Sequence, residues 1–158
     1  MKAVVTRVRS ASVVVHDSVV GSIPDSDVGG LLVLIGVATG DTPATAQAMA
    51  EKLARLRIFE GLTPEERPTE VSALDVGAPL LVVSQFTLMG DTSHGRRPSW
   101  SAAAKPAKAE PIFTTCVEEL RSLGLTVETG VFGAYMGVES VNDGPFTVLV
   151  DIPSGTHS

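Results

Sequence analysis

Apolar and polar residues alternate at the start of this chain and cluster further along. Lys2 to Arg9 and Ala11 to His16 are rich in β-branched residues at alternate positions, and Asp17-Ser18 then precedes a short apolar run at Val19-Val20. That pattern predicts strands joined by tight turns. Gly29-Gly30 opens Leu31 to Val37, a continuous apolar run of strand length, expected to be buried on both faces. A helix with a readable start comes next: Thr42 as N-cap, Pro43 in the first turn, and Met49, Leu53 and Leu56 at i, i+4 and i+7, with Lys52 and Arg55 on the wet side. Gly61 to Thr69, with two prolines and several charges, reads as a surface loop, and Ala78 to Phe86 as a second buried strand. A second helix is predicted from near Pro111, carrying Phe113, Cys116, Val117, Leu120 and Leu123 and closed by Gly124. From Thr126 to Ile152 the pattern predicts short strands broken by Gly130, Gly133, Gly137 and Gly144.

These elements predict one α+β domain over residues 1–152, β-dominated, with a barrel-like, mostly antiparallel sheet and two main helices packed on it. Residues 153–158 are expected to form a flexible tail. A length of 158 residues with 44% hydrophobic composition suits a single core. The one cysteine, Cys116, excludes an internal disulfide and sits on the apolar stripe of the second helix, which points to packing. Charges at Lys2 and Arg7 interrupt any signal-peptide apolar region, and the run Leu31 to Ala38 is too short to cross a bilayer, so a soluble cytoplasmic protein is expected.

A net charge of −6 argues against a broad electrostatic footprint for nucleic acid. The local distribution differs from the sum. No acidic residue lies between Asp91 and Glu110, whereas Arg96, Arg97, Lys105 and Lys108 do, with His94 and Trp100 among them. This is either a phosphate-contacting surface or a solvated loop with clustered charge.

Standard catalytic signatures are absent. His16, His94 and His157 are scattered without metal-ligand spacing, and there is no GxSxG elbow or glycine-rich phosphate loop. Ser84 and Thr87 are the hydroxyls placed at a strand end, yet no His, Asp or Lys adjoins them to act as base. Asn142-Asp143-Gly144-Pro145 is turn chemistry, since Asn, Asp and Gly accept left-handed backbone and Pro fixes its own φ.

Four motifs in order carry a resemblance. Ser84-Gln85-Phe86-Thr87-Leu88 with Gly90-Asp91, Gly95-Arg96-Arg97-Pro98-Ser99-Trp100, Phe132-Gly133-Ala134-Tyr135-Met136 and Asn142-Asp143-Gly144-Pro145 together resemble the D-aminoacyl-tRNA deacylases, and Ala3 to Val8 and the stretch Leu53 to Phe59 match as well. The resemblance implies a homodimeric, cytoplasmic editing enzyme, with no cofactor and no metal, that hydrolyses the ester between a D-amino acid and the terminal adenosine of tRNA. It implies a cis Gly144-Pro145 bond inserted from one subunit into the other's active site. Two parallel backbone carbonyls would there accept the substrate α-ammonium and leave no volume for an L side chain. Glycyl-tRNA, with nothing to exclude, is then a secondary substrate.

Thr87 is either a nucleophile or, as the resemblance suggests, a hydroxyl that positions the ester beside backbone N–H groups while water attacks with help from the ribose 2′-OH. Ser84 and Gln85 are assigned to the same wall, and Phe86 to the pocket floor or the core. Arg7 is assigned to bracing the Gly-Pro loop through its carbonyls, against the alternative of an exposed strand arginine. Met136 lines the pocket or is a core methionine, and Arg96 and Arg97 meet tRNA phosphates. Met89, Gly137 and Phe146 depart from the family's usual pattern and bear on pocket shape, with Phe146 placed to crowd the loop. Two rivals of other classes are a non-catalytic RNA-binding module and a hydrolase using Thr87 covalently on unrelated esters.

Overall fold

β1 (Lys2–Val15) is one strand of 14 residues where the pattern suggested two. The polar interruption at Arg9-Ser10 coincides with a bulge, because the pairing with β8 (Gly137–Asp151) shifts register between Val8 and Ser10. A bulge swaps which side chains face which side. Val5 accordingly belongs to one core layer, and Val8, Ala11 and Val13 to the other. The computed structural model describes residues 1–61, 63–65 and 70–155.

β1 organises the sheet. Along one edge it pairs antiparallel with β3 (Gly30–Gly36) and then with β2 (Ser18–Ile23), and along the other with β8. β3 pairs parallel with β6 (Leu80–Ser84), which pairs parallel with β7 (Val127–Thr129), giving the order β2-β1-β3-β6-β7. The sheet is therefore mixed, antiparallel around β1 and parallel beyond β3. It curls into a nearly closed barrel because β2 meets β7 at Gly21, where any Cβ would lie 2.4 Å from the Thr129 carbonyl oxygen.

α1 (Pro43–Arg55) begins as predicted, with Thr42 and Thr45 bonded reciprocally in a capping box. α2 (Ala73–Val76) is a single turn capped by Ser72 and Asp75, and β4 (Arg57–Glu60) pairs with β5 (Glu70–Ser72); both fall near the segment read as loop. Of the predicted loop Gly61 to Thr69, Leu62 and residues 66–69 lie outside the described residues. α3 (Pro106–Ser122) starts more than a turn before the predicted Pro111. Pro106 takes the tolerated first-turn position, and between it and Pro111 the apolar side chains, beside Lys108 and Glu110, are only the small Ala107 and Ala109, which an apolar periodicity count does not register.

Alternation along β3 and β6 divides the core into two layers. Leu31, Val33, Ile35, Leu80 and Val82 pack against Met49 and Leu53 of α1 and Phe113, Cys116 and Leu120 of α3. Leu32, Leu81 and Val83 turn inward to Val8, Val13 and Ile23 and fill the barrel. Each such side chain contributes roughly 1.5–3 kcal/mol by leaving water. Burial also pushes the Cys116 thiol up to about 12, so it serves packing and holds no thiolate at neutral pH.

The chain from Gly137 to Asp151 is one strand rather than several short ones. Among the described residues it pairs only with β1, and its other edge is free. Among those residues no helix is long and apolar enough to cross a membrane. At the barrel's end the Met1 ammonium lies 2.8 Å from Asp41 Oδ1, and Ser154 donates to the same oxygen at 2.9 Å.

Candidate functional site

Besides the bulge between Val8 and Ser10, the pairing of β1 with β8 is interrupted between Thr6 and Val8. Thr6 opposes Thr147 and Val8 opposes Asn142, so Arg7 alone on β1 faces the four residues Asp143 to Phe146. Those four must leave the ladder and loop out. The Asn142 side-chain amide donates to the Arg7 carbonyl at 2.9 Å and fixes one foot of the loop. The Gly144-Pro145 bond at the tip is cis.

Arg7 is 7% exposed, which rules out the exposed-arginine reading. Its Nη1 donates to the Ile58 carbonyl at 2.6 Å, and its Nε lies 2.9 Å from Asp143 Oδ2, an ion pair whose angle falls short of a hydrogen bond. The guanidinium also sits 4.5 Å from the centre of the Phe146 ring. Arg7 thus holds both flanks of the loop through an acidic side chain and an aromatic face, where loop carbonyls were expected. Phe146 packs under the arginine and against the helix-side core instead of crowding the tip. A cleft of about 430 Å³ opens beside the loop, with Asp27, Phe59, Glu60 and Asp143 in its walls. Among the described residues a Cβ on Gly144 would meet nothing within 4 Å, so neither Thr87 nor any other described residue lies against that side of the tip.

Ser84 ends β6 half-buried, the Gln85 N–H donates to the Ile35 carbonyl at 2.7 Å, and Phe86–Met89 form one 3₁₀ turn. The turn rests on bare backbone: a Cβ at Gly36 would lie 3.0 Å from the Gln85 carbonyl oxygen and 2.9 Å from Met89 Cε. Met89 is therefore buried beneath the turn. Gln85 Nε2 donates to Thr87 Oγ1 at 2.5 Å, which leaves the threonine proton free to point outward from an exposed position. Phe86 is 59% exposed and makes an edge-on pair with Trp100, ring centres 6.2 Å apart. The core alternative for Phe86 is thereby excluded.

Asp91 and Ser99 exchange backbone hydrogen bonds at 2.8 and 3.0 Å and close a hairpin-like loop that carries Arg96 and Arg97 exposed. Hydrogen bonds from the Ser93 side chain and N–H hold the Asp91 carboxyl below its usual range. Met136 packs half-buried against the barrel-interior layer, with Gly130 bare beneath its sulfur because a Cβ there would lie 2.5 Å away. Gly137 opens β8 beside Val14. His16 occupies the β1–β2 turn, His94 bonds Ser93, and His157 lies outside the described residues. Among the described residues no group of three His, Cys, Asp or Glu side chains is placed to hold a metal ion. Asp143, Phe146 and Trp100 were not singled out as site residues from the sequence. The signal for the first two was an arginine on a β1 face whose neighbours are buried, which demands partners.

Residues 4–151 match the family described as D-Tyr-tRNA(Tyr) deacylase. The chain is 88% identical over 158 residues, all of both chains, to a D-aminoacyl-tRNA deacylase of Corynebacterium kroppenstedtii. It is 56% identical over 152 residues to that of Thermobifida fusca, covering 96% of this chain and 100% of the relative. A solved structure described as a c-Myc DNA unwinding element binding protein superposes with TM-score 0.86 at 35% identity, covering 97% of this chain and 99% of the other. One described as a probable eukaryotic D-amino acid tRNA deacylase gives TM-score 0.81 over 96% and 98%, and at 17% identity it shows the fold alone. Fold and relatives together place the chain among the deacylases, which are hydrolases. It belongs to the D-aminoacyl-tRNA deacylase family.

Proposed function

We propose that this chain is a cytoplasmic, metal-independent homodimer that hydrolyses the ester of D-aminoacyl-tRNA and of glycyl-tRNA, with the Gly144-Pro145 loop of each copy rejecting L-residues in the site of the other. The observation that carries this reading is the braced loop, with no described residue of its own chain within 4 Å of a Cβ at Gly144. A rigid, exposed backbone excursion is suited to insertion into a second molecule. β8 offers the adjoining surface, with a free edge and exposed Val138, Val141 and Leu149, the last 82% exposed.

Chirality would then be read by backbone. Two loop carbonyls accept the substrate ammonium and occupy the side on which an L side chain projects, whatever that side chain is. Glycine has nothing to exclude and passes. Thr87 accepts from Gln85 and donates outward to the ester oxygen, together with N–H groups of the same turn, as negative charge develops there. Water attacks the carbonyl carbon; one of its protons passes to the ribose 2′-OH, which hands its own proton to the departing 3′-oxygen, so the C–O ester bond breaks to give the free amino acid and the tRNA 3′-hydroxyl. Ser84 supports this wall from the strand end.

The test is hydrolysis of D-tyrosyl-, L-tyrosyl- and glycyl-tRNA by the purified protein in excess chelator. Cleavage of the D and glycyl esters alone is expected. Equal cleavage of D and L esters would remove the backbone filter, and loss of activity in chelator would remove metal independence. Cleavage of none would favour a binding module, for which the cationic loop is the supporting feature.

Thr87→Ala is expected to lower kcat roughly tenfold, the worth of about one hydrogen bond, without abolishing it. A trapped acyl-enzyme, or complete loss in a folded variant, would make Thr87 the nucleophile instead. Replacing Arg96 and Arg97 together by Gln is expected to raise KM for charged tRNA and to reduce its salt dependence by about two phosphate contacts. Indifference of KM to both changes would detach the loop from the tRNA.

A further inference from the structure

We propose that Trp100, held edge-on against Phe86, is a stacking platform for an unpaired nucleobase next to the charged nucleotide at the single-stranded 3′ end of tRNA. The inference rests on the tRNA reading above and adds a binding residue to it. Trp100 and Phe86 are 43% and 59% exposed, so neither is accounted for by the core. They meet at 61° with ring centres 6.2 Å apart, and an edge-on pair leaves an aromatic face open. The indole lies close over Gly90, where a Cβ would stand 3.3 Å from its Nε1. Phe86 directly precedes Thr87, which puts the platform beside the proposed reaction centre.

Charge selects the occupant. Trp100 follows the loop bearing exposed Arg96 and Arg97, and no carboxylate lies between Asp91 and Glu110. Aromatic faces interleaved with cations suit single-stranded nucleic acid, whose bases stack while its phosphates meet the arginines. An apolar protein partner would have no use for the cations. Stacking is indifferent to base identity, so this platform would add affinity to every charged tRNA and none of the chiral discrimination.

Trp100 is the single tryptophan of the chain, so indole fluorescence reports on it directly. The full chain would be titrated with the ribotrinucleotide CCA and with a trimer of the same backbone lacking its middle base. Saturable quenching by CCA and a clearly weaker response to the abasic trimer are expected. Trp100→Ala should raise KM for D-tyrosyl-tRNA about tenfold with kcat within about twofold, and Trp100→Phe should restore most of it. Unchanged fluorescence in a preparation that cleaves the D ester would overturn the proposal. So would a Trp100→Ala chain that loses kcat and elutes as a smaller species, because the rings would then be a contact between copies. Quenching by CCA without cleavage of any ester would instead sink the deacylase reading and leave the platform standing.

Discussion

Gly144→Ala is expected to cut kcat/KM for D-tyrosyl-tRNA about 10²-fold, the loss that follows when a positioning group is displaced by about an ångström. Thermal unfolding should not move, because a Cβ at Gly144 meets nothing within 4 Å among the described residues of its own chain. The combination is the informative part. A methyl group harmless to the isolated chain harms catalysis only if the tip lies against something else, which under the proposed function is the substrate in a second copy. Glycyl- and D-tyrosyl-tRNA should suffer together, since the methyl intrudes where both carry their ammonium. Arg7→Met is the companion variant: it releases Asp143 and Phe146, so activity and unfolding midpoint should both fall. Full activity of Gly144→Ala on the D ester would remove the loop from the site.

The sequence foretold much of the scaffold for physical reasons. Continuous apolar runs became the paired strands β3 and β6, and Thr42-Pro43 became a capped helix start, because both signals are local. β8 was hidden by Gly137 and Gly144. Glycine is a plausible strand breaker when only neighbours in sequence are considered, but here β1 supplies hydrogen bonds on both sides of the excursion and the strand continues through it. The start of α3 was hidden in turn by alanines that carry little periodicity.

The site was legible as motifs and illegible as geometry. Ser84 to Thr87 and Gly144-Pro145 stand out by their residues, yet what fixes the loop is a contact between Arg7 and residues some 140 positions away, created by one mismatch in strand register. No local pattern encodes such a mismatch. Phe146, a departure from the expected sequence, proved part of the brace, since its ring supplies the face on which the guanidinium rests. Trp100 was read as one member of a charged stretch, and only the fold brings it to Phe86.

Asp41→Ala should destabilise the chain by about 3–5 kcal/mol, the cost of leaving a buried charge without its partner. The Asp41 side chain and the Met1 ammonium are both fully inaccessible and 2.8 Å apart. Asp41 also accepts from the Ala38 N–H at 2.7 Å and from Ser154 Oγ at 2.9 Å, and the ammonium donates onward to the Ile152 carbonyl at 2.8 Å. One carboxylate therefore ties together the start of β1, the segment before α1 and the end of the chain. The same segment carries the stretch that follows Trp100, with Thr39 N–H bonded to the Ala102 carbonyl and Ala104 N–H to the Val37 carbonyl, each at 2.9 Å. At about 2–4 °C per kcal/mol for a chain of this size, the unfolding midpoint should fall by roughly 10 °C. Asp41→Asn, which keeps the shape and one acceptor but not the charge, should fall between the two. If both variants unfold within about 2 °C of the parent, a shift worth no more than about 1 kcal/mol, the buried pair does not hold the two ends of the chain together.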